Sequence, residues 1–167
     1  MTNTGSAFIN SSLYHLNTSP MRILAERKTN EFMPKAYTCD GAGVFPELSI
    51  HEIPLDAKVV ALIVDDPDAP GGTWDHLLVA NIPVSAQSLS FGSSELSGGV
   101  HGKNSWWNLG RWAPCPPSGI HRYFFKVFAL KKELTLASGF SKEALLAVMT
   151  WNILAETELI GLYQRGK

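Results

Sequence analysis

Apolar positions along this chain gather into a few dense runs separated by long turn-rich stretches. The densest run, Val59 to Val64, is continuous and mostly β-branched, which predicts a strand buried on both faces. It ends abruptly at Asp65. Asp65, Asp66 and Asp68 then stand between Val64 and Pro70, and Pro67 and Pro70 fix φ so that the carboxylates are held where the strand leaves the core. After Gly71-Gly72 the chain returns through Trp74 into His76 to Ile82, a second predicted strand whose first inward-facing candidate is His76. Alternation at Leu48 and Ile50 predicts a short strand upstream. Aromatic and branched residues from His121 to Leu130 predict another, and period two puts His121, Tyr123, Phe125 and Val127 on one of its faces. Ser141 is expected to cap a helix with Glu143 in its first turn and Leu145, Leu146, Val148 and Met149 as its apolar side. The segment 155–163 contains helix formers, but Gly161 and the two-residue spacing of Glu156 and Glu158 favour a strand.

Residues 1–20 show no periodicity and are expected to form a weakly ordered arm before one domain, 21–167. From Pro83 to Pro117 many Gly, Ser and Pro residues predict an irregular segment that carries Trp106, Trp107 and Trp112, packed as loop filling or as a wall of a site. Together these elements predict a mostly β protein: a two-sheet antiparallel β-sandwich with one or two peripheral helices.

Composition narrows the function classes. With 45% hydrophobic and 17% charged residues, the 167-residue chain can bury a real core. A formal net charge of −1 and the lack of any Lys/Arg block speak against nucleic-acid binding. No apolar stretch approaches the roughly 20 residues of a membrane span, and the first residues lack the basic start and apolar centre of a secretory signal, so a cytoplasmic location is expected. Cys39 and Cys115 are too few and too far apart for a disulfide framework or zinc knuckle, and are expected to be reduced, free thiols.

Two histidines, His76 and His121, and the carboxylates Asp66 and Asp68 are the candidate chemistry, all at strand ends. Three readings of them stand open: ordinary structural roles, a metal site, and an anion site. Two imidazoles and a carboxylate can bind zinc or iron, although neither histidine belongs to a close pair such as H-x-H. For an anion, a carboxylate beside each imidazole would accept one ring N–H, raise the histidine pKa and leave the other N–H as an outward donor. Such a site suits a zwitterion, with a phosphate ester on the imidazolium and tyrosine donors and an ammonium group on spare carboxylate oxygen. Catalytic signatures are lacking: no G-x-S-x-G, P-loop or H-E-x-x-H is present, and Ser105 near His101 has no evident orienting acid. Cys115 between prolines is expected to be a constrained turn residue rather than a nucleophile. The alternative retained is a hydrolase or metal-dependent enzyme using the same Asp/His cluster.

Tyr37-Thr38-Cys39-Asp40-Gly41, Asp66-Pro67-Asp68-Ala69-Pro70, Trp74-Asp75-His76, Val79-Ala80-Asn81-Ile82-Pro83, Pro114-Cys115-Pro116-Pro117 and His121-Arg122-Tyr123 occur in this order. In these motifs, spanning about 35–165, the chain resembles the phosphatidylethanolamine-binding (Raf kinase inhibitor-like) family, its bacterial branch above all. The resemblance implies a shallow anion pocket lined by Asp66, Asp68, Pro70, His76, Cys115, Pro116, His121 and Tyr123. It implies no cofactor and a non-catalytic role: binding a phosphorylated small molecule or lipid headgroup, modulating a protein partner such as a kinase, and assembling as a homodimer. Gly110-Arg111-Trp112-Ala113 departs from the family's glycine-rich pattern and adds a cation at Arg111, and Ser118-Gly119-Ile120 is a short connection.

Overall fold

The computed structural model describes residues 20–91, 96 and 98–166, so the expected arm at 1–20 lies almost wholly outside the described residues. In chain order the strands are β1 (Arg22–Ala25), β2 (Glu31–Phe32), β3 (Leu48–His51), β4 (Val59–Asp66), β5 (Trp74–Pro83), β6 (Ser88–Phe91), β7 (Val100–His101), β8 (His121–Leu130) and β9 (Ile153–Tyr163), with one α-helix, α1 (Lys142–Met149), before β9. A three-stranded sheet, β1-β3-β6, faces a six-stranded sheet ordered β2-β9-β8-β4-β5-β7. All pairings are antiparallel except β2 with β9. The expected sandwich is the observed one. Sequence reading missed β1 and β2, and it took the ground of β6 and β7 as irregular; these strands are only two to four residues long, too short to carry a period.

The continuous apolar run in β4 has a specific cause. Val60, Leu62 and Val64 point into the core between the sheets, whereas Val59, Ala61 and Ile63 point into a second core with Leu145 and Met149 of α1. A strand sandwiched between two apolar layers has no polar face to show. Burying each such aliphatic side chain is worth about 1.5–3 kcal/mol. Helix α1 begins at Ser141, whose hydroxyl accepts from the Ala144 N–H at 3.2 Å, with Glu143 in the first turn as expected. Its apolar side is narrower than the sequence suggests: Leu145 and Met149 are buried, but Leu146 and Val148 are exposed, because α1 presents only one edge to the sheet. Gly161 in β9 is needed for packing, since a Cβ there would lie 2.5 Å from the Met33 sulfur.

Alternation splits the acidic end of β4 between the two layers. Asp65 continues the helix-side face and is essentially inaccessible; it accepts from Lys126 Nζ at 2.9 Å and Lys142 Nζ at 2.6 Å, and Lys142 also donates to Asp75 at 2.7 Å. Burial alone would lower the Lys142 pKa, but the bonds to Asp65 and Asp75 outweigh it and hold it above the usual lysine value. Asp66 continues the sandwich-side face, one residue on and opposite in direction.

The cysteine expectation fails. Cys39 and Cys115, 76 residues apart, form a disulfide with Cα atoms 5.3 Å apart. The Cys39 N–H donates to the Pro114 carbonyl at 3.0 Å, so the two loops are already aligned by backbone. Spacing in sequence says nothing about such a long-range approach. No helix among the described residues is long and apolar enough to cross a membrane.

Two outcomes follow from the packing. Lys142→Met should lower the unfolding free energy by about 3 kcal/mol, because it strands buried carboxylate charge; urea denaturation measures it, and an unchanged midpoint would contradict the ion cluster. Thiol counting of the denatured, unreduced protein should find no reactive cysteine, and reduction should cost about 2–4 kcal/mol of stability through the long loop released.

Candidate functional site

Strands β4 and β8 run antiparallel with Asp65 opposite Phe124, so Asp66 comes level with Tyr123 and lies one diagonal step, on the same face, from His121. Asp66 and His121 are thereby brought together, both nearly inaccessible, and the His121 Nδ1–H donates to Asp66 Oδ2 at 2.7 Å. The other oxygen, Oδ1, accepts the Asp68 backbone N–H at 2.9 Å. A ring held through Nδ1 turns its Nε2 outward. Tyr123, two residues along β8, lies on the same face with its ring 6.5 Å from that of His121.

His76 arrives by a different device. Val64 pairs with Leu77 and Asp65 with Asp75, leaving His76 as the extra residue of a β-bulge in β5. Bulges bend the strand locally and re-aim a side chain, and here both His76 and Leu77 turn to the sandwich side. The His76 ring packs against Tyr123 and Trp106, each at a centroid distance of 5.3 Å. Its Nδ1–H donates to the Trp112 carbonyl at 2.9 Å, and the Trp112 N–H returns a bond to the His76 carbonyl at 3.1 Å. A carboxylate beside each imidazole was expected; only His121 has one. Burial moves the His76 pKa below the ordinary histidine value, more than the Trp112 carbonyl and the charges of Asp66 and Asp75 raise it, and Arg111 pushes in the same direction as burial. An upward shift was expected of His76 or His121; at His76 the direction is downward, because burial outweighs the carbonyl bond and the nearby carboxylate charges.

These side chains open on one cleft of about 210 Å³. Asp66, His76, His121 and Tyr123 form its polar floor, and Pro70, Cys115 and Pro116 form its rim. Asp68 does not line it. Its carboxylate accepts from Arg122 Nε and Nη2 at 2.8 and 2.7 Å and from the Arg122 backbone N–H at 2.9 Å, and the Arg122 contact holds its pKa down at about 2. Asp68 thus fixes the loop to β8, with both its oxygens engaged by Arg122 rather than facing the cleft.

Trp74, Trp106, Ala69 and Pro117 complete the cleft. Sequence analysis left the Trp106 role open and overlooked Asn104, on which the tryptophan loop turns. Asn104 is buried, its side-chain oxygen accepts the N–H groups of Trp106 and Asn108, and its amide donates to the Gly110 carbonyl. The bond from the Trp106 N–H to the Asn104 side chain is an Asx turn, a local habit of Asn in loops that was readable in principle. Trp106 stacks on Trp112 at 4.9 Å and meets Trp74 edge-on at 5.0 Å, giving the cleft a rigid aromatic wall.

Two polar atoms of cleft residues, the Trp74 indole N–H and the Tyr123 hydroxyl, are buried without a hydrogen-bond partner among the described residues. Burial, then the charge of Asp66 and a hydrogen-bonding pull from the same carboxylate, raise the Tyr123 pKa, so the hydroxyl stays protonated and, without a well-aligned bond in the protein, can donate to an acceptor in the cleft. Among the described residues no three His, Cys, Asp or Glu side chains are placed to hold one metal ion.

Comparison with known proteins agrees with this architecture. Residues 25–164 match the model of the family described as phosphatidylethanolamine-binding protein. A protein of Methanothermobacter thermautotrophicus named only as a UPF0098 protein is 46% identical over 138 residues, 80% of this chain and 91% of its own length. Another so named, from Aquifex aeolicus, is 40% identical over 168 residues, 96% of this chain and 98% of its own length. Among solved structures, a phosphatidylethanolamine-binding protein homolog from Chlamydia trachomatis superposes with a TM-score of 0.82 at 35% identity, covering 87% of this chain and 98% of that one. YbcL of E. coli, described as a member of the mammalian PEBP family, gives 0.77 at 30% identity, covering 87% and 99%. The chain belongs to the phosphatidylethanolamine-binding protein family.

Proposed function

We propose that the cleft binds a small phosphorylated ligand, a phosphate ester or phospholipid headgroup, without transforming it, and that the bound state modulates a protein partner. The observation that carries this reading is the unpartnered, buried Tyr123 hydroxyl beside the outward Nε2 of His121. Leaving a buried hydroxyl unpaired costs about 1–3 kcal/mol, and an anionic oxygen accepting from it would recover that cost, with the His121 Nε2 beside it as a second donor when the ring is charged. Exposed Trp107, Trp112 and Ile120 on the segments that border the cleft offer apolar surface to a partner.

Among the described residues the candidate nucleophiles weighed for the hydrolase alternative are engaged elsewhere. Cys115 is held in the disulfide, and Ser105 Oγ accepts the Asp75 N–H at 2.8 Å rather than pairing with His101. Among the described residues the one acid–histidine ion pair, Asp66 and His121, has beside it in the cleft the Tyr123 hydroxyl, whose pKa is raised rather than lowered.

Titration calorimetry with phosphoethanolamine tests the proposal. A hydrogen bond to a charged group is worth about 1.5–3 kcal/mol, so His121→Ala should weaken binding about 10- to 150-fold. Tyr123→Phe should weaken it about tenfold or more while leaving unfolding stability unchanged or higher, since it deletes a hydroxyl with no partner in the unliganded protein. Wild-type affinity in His121→Ala, or a destabilised Tyr123→Phe of normal affinity, would refute the site.

A further inference from the structure

The two histidines of the cleft are not equivalent, and the difference bears on which ionic form of a phosphate the cleft accepts. The His76 Nδ1 lies 2.9 Å from the Trp112 carbonyl, which can only accept, so Nδ1 carries a hydrogen. A second hydrogen on Nε2 would make the ring a cation in a site that is almost inaccessible, walled by the rings of Tyr123 and Trp106.

Charged and titratable groups that could stabilise that cation are engaged elsewhere or opposed to it. Asp66 of β4 accepts from His121 and from the Asp68 N–H, and Asp75 of β5 accepts from Lys142. Arg111, on the loop that bonds His76, is half-buried with no carboxylate partner among the described residues and packs its guanidinium 5.8 Å from the Phe45 ring. His121 and Tyr123 of β8 are the remaining titratable neighbours. The downward shift of the His76 pKa agrees with this count. Neutral His76 then presents the Nε2 lone pair on the cleft floor, opposite the donors on β8.

We propose that His76 is the hydrogen-bond acceptor of the cleft and selects ligands that bring a proton to it, taking the singly ionised phosphate monoester, which still holds a P–OH, in preference to the dianion. This rests on the phosphate-binding reading above and assigns to one residue the choice of ionic form. A dianion would set an acceptor against an acceptor. A diester has the single charge but no proton to give.

The test uses methyl phosphate and dimethyl phosphate, neither of which has an ammonium group, titrated against the full chain and followed by phosphorus NMR. A monoester loses its second proton near pKa 6. From about pH 6.5 to about pH 8 the affinity advantage of methyl phosphate over dimethyl phosphate should therefore fall about tenfold per pH unit, while ionisation of protein groups affects both esters and cancels in the ratio. In His76→Gln, whose amide can present either a donor or an acceptor, the ratio should lose its pH dependence; should that variant not fold, the wild-type ratio decides alone. A ratio that is flat or grows with pH, or that keeps its slope in His76→Gln, overturns the role of His76 and leaves the anion site standing. Failure of both esters to bind at any pH overturns both.

Discussion

The hydrogen bond between Asp66 and His121 is the constraint on which the cleft depends. It joins the end of β4 to the beginning of β8 across a diagonal of the strand pair, which the antiparallel register with Asp65 opposite Phe124 makes possible. A buried carboxylate and a buried imidazole are each costly alone and tolerable together. Around that bond everything else is placed by backbone geometry. Tyr123 follows by strand alternation, His76 by the bulge opposite Asp65, and the Asp68 loop by the Oδ1 bond and the clamp of Arg122.

Alternation in β4 also separates two kinds of electrostatics that sequence places together. Asp65 and Asp66 are adjacent, yet Asp65 is neutralised by two lysines under α1 while Asp66 faces the cleft. The first is structural and the second is available to chemistry. Lys142 thereby ties the helix to the sheet directly behind the cleft floor, so helix docking and cleft shape share a foundation.

Strands long enough to carry a period were legible: the two-sided burial of β4, the His121-Tyr123-Phe125-Val127 face of β8 and the β9 strand that helix propensity argued against. Features set by long-range approach were not. Nothing in the spacing of Cys39 and Cys115 announces their disulfide, a bond of the kind that persists mainly in oxidising compartments. The unequal histidines were hidden for the same reason. His76 and His121 each follow an acidic loop or turn in the sequence, but a one-residue bulge gives His76 a carbonyl where His121 has a carboxylate. Asp68 was misjudged because the competing Arg122 lies 54 residues away.

The account stands most directly on where an anion sits. A crystal structure of the chain with phosphoethanolamine should place the phosphorus within hydrogen-bonding reach of both the His121 Nε2 and the Tyr123 hydroxyl, with Asp66 still bonded to Nδ1. A phosphate seated instead on Arg122, Arg111 or Lys142, with the Tyr123 hydroxyl untouched, would contradict it.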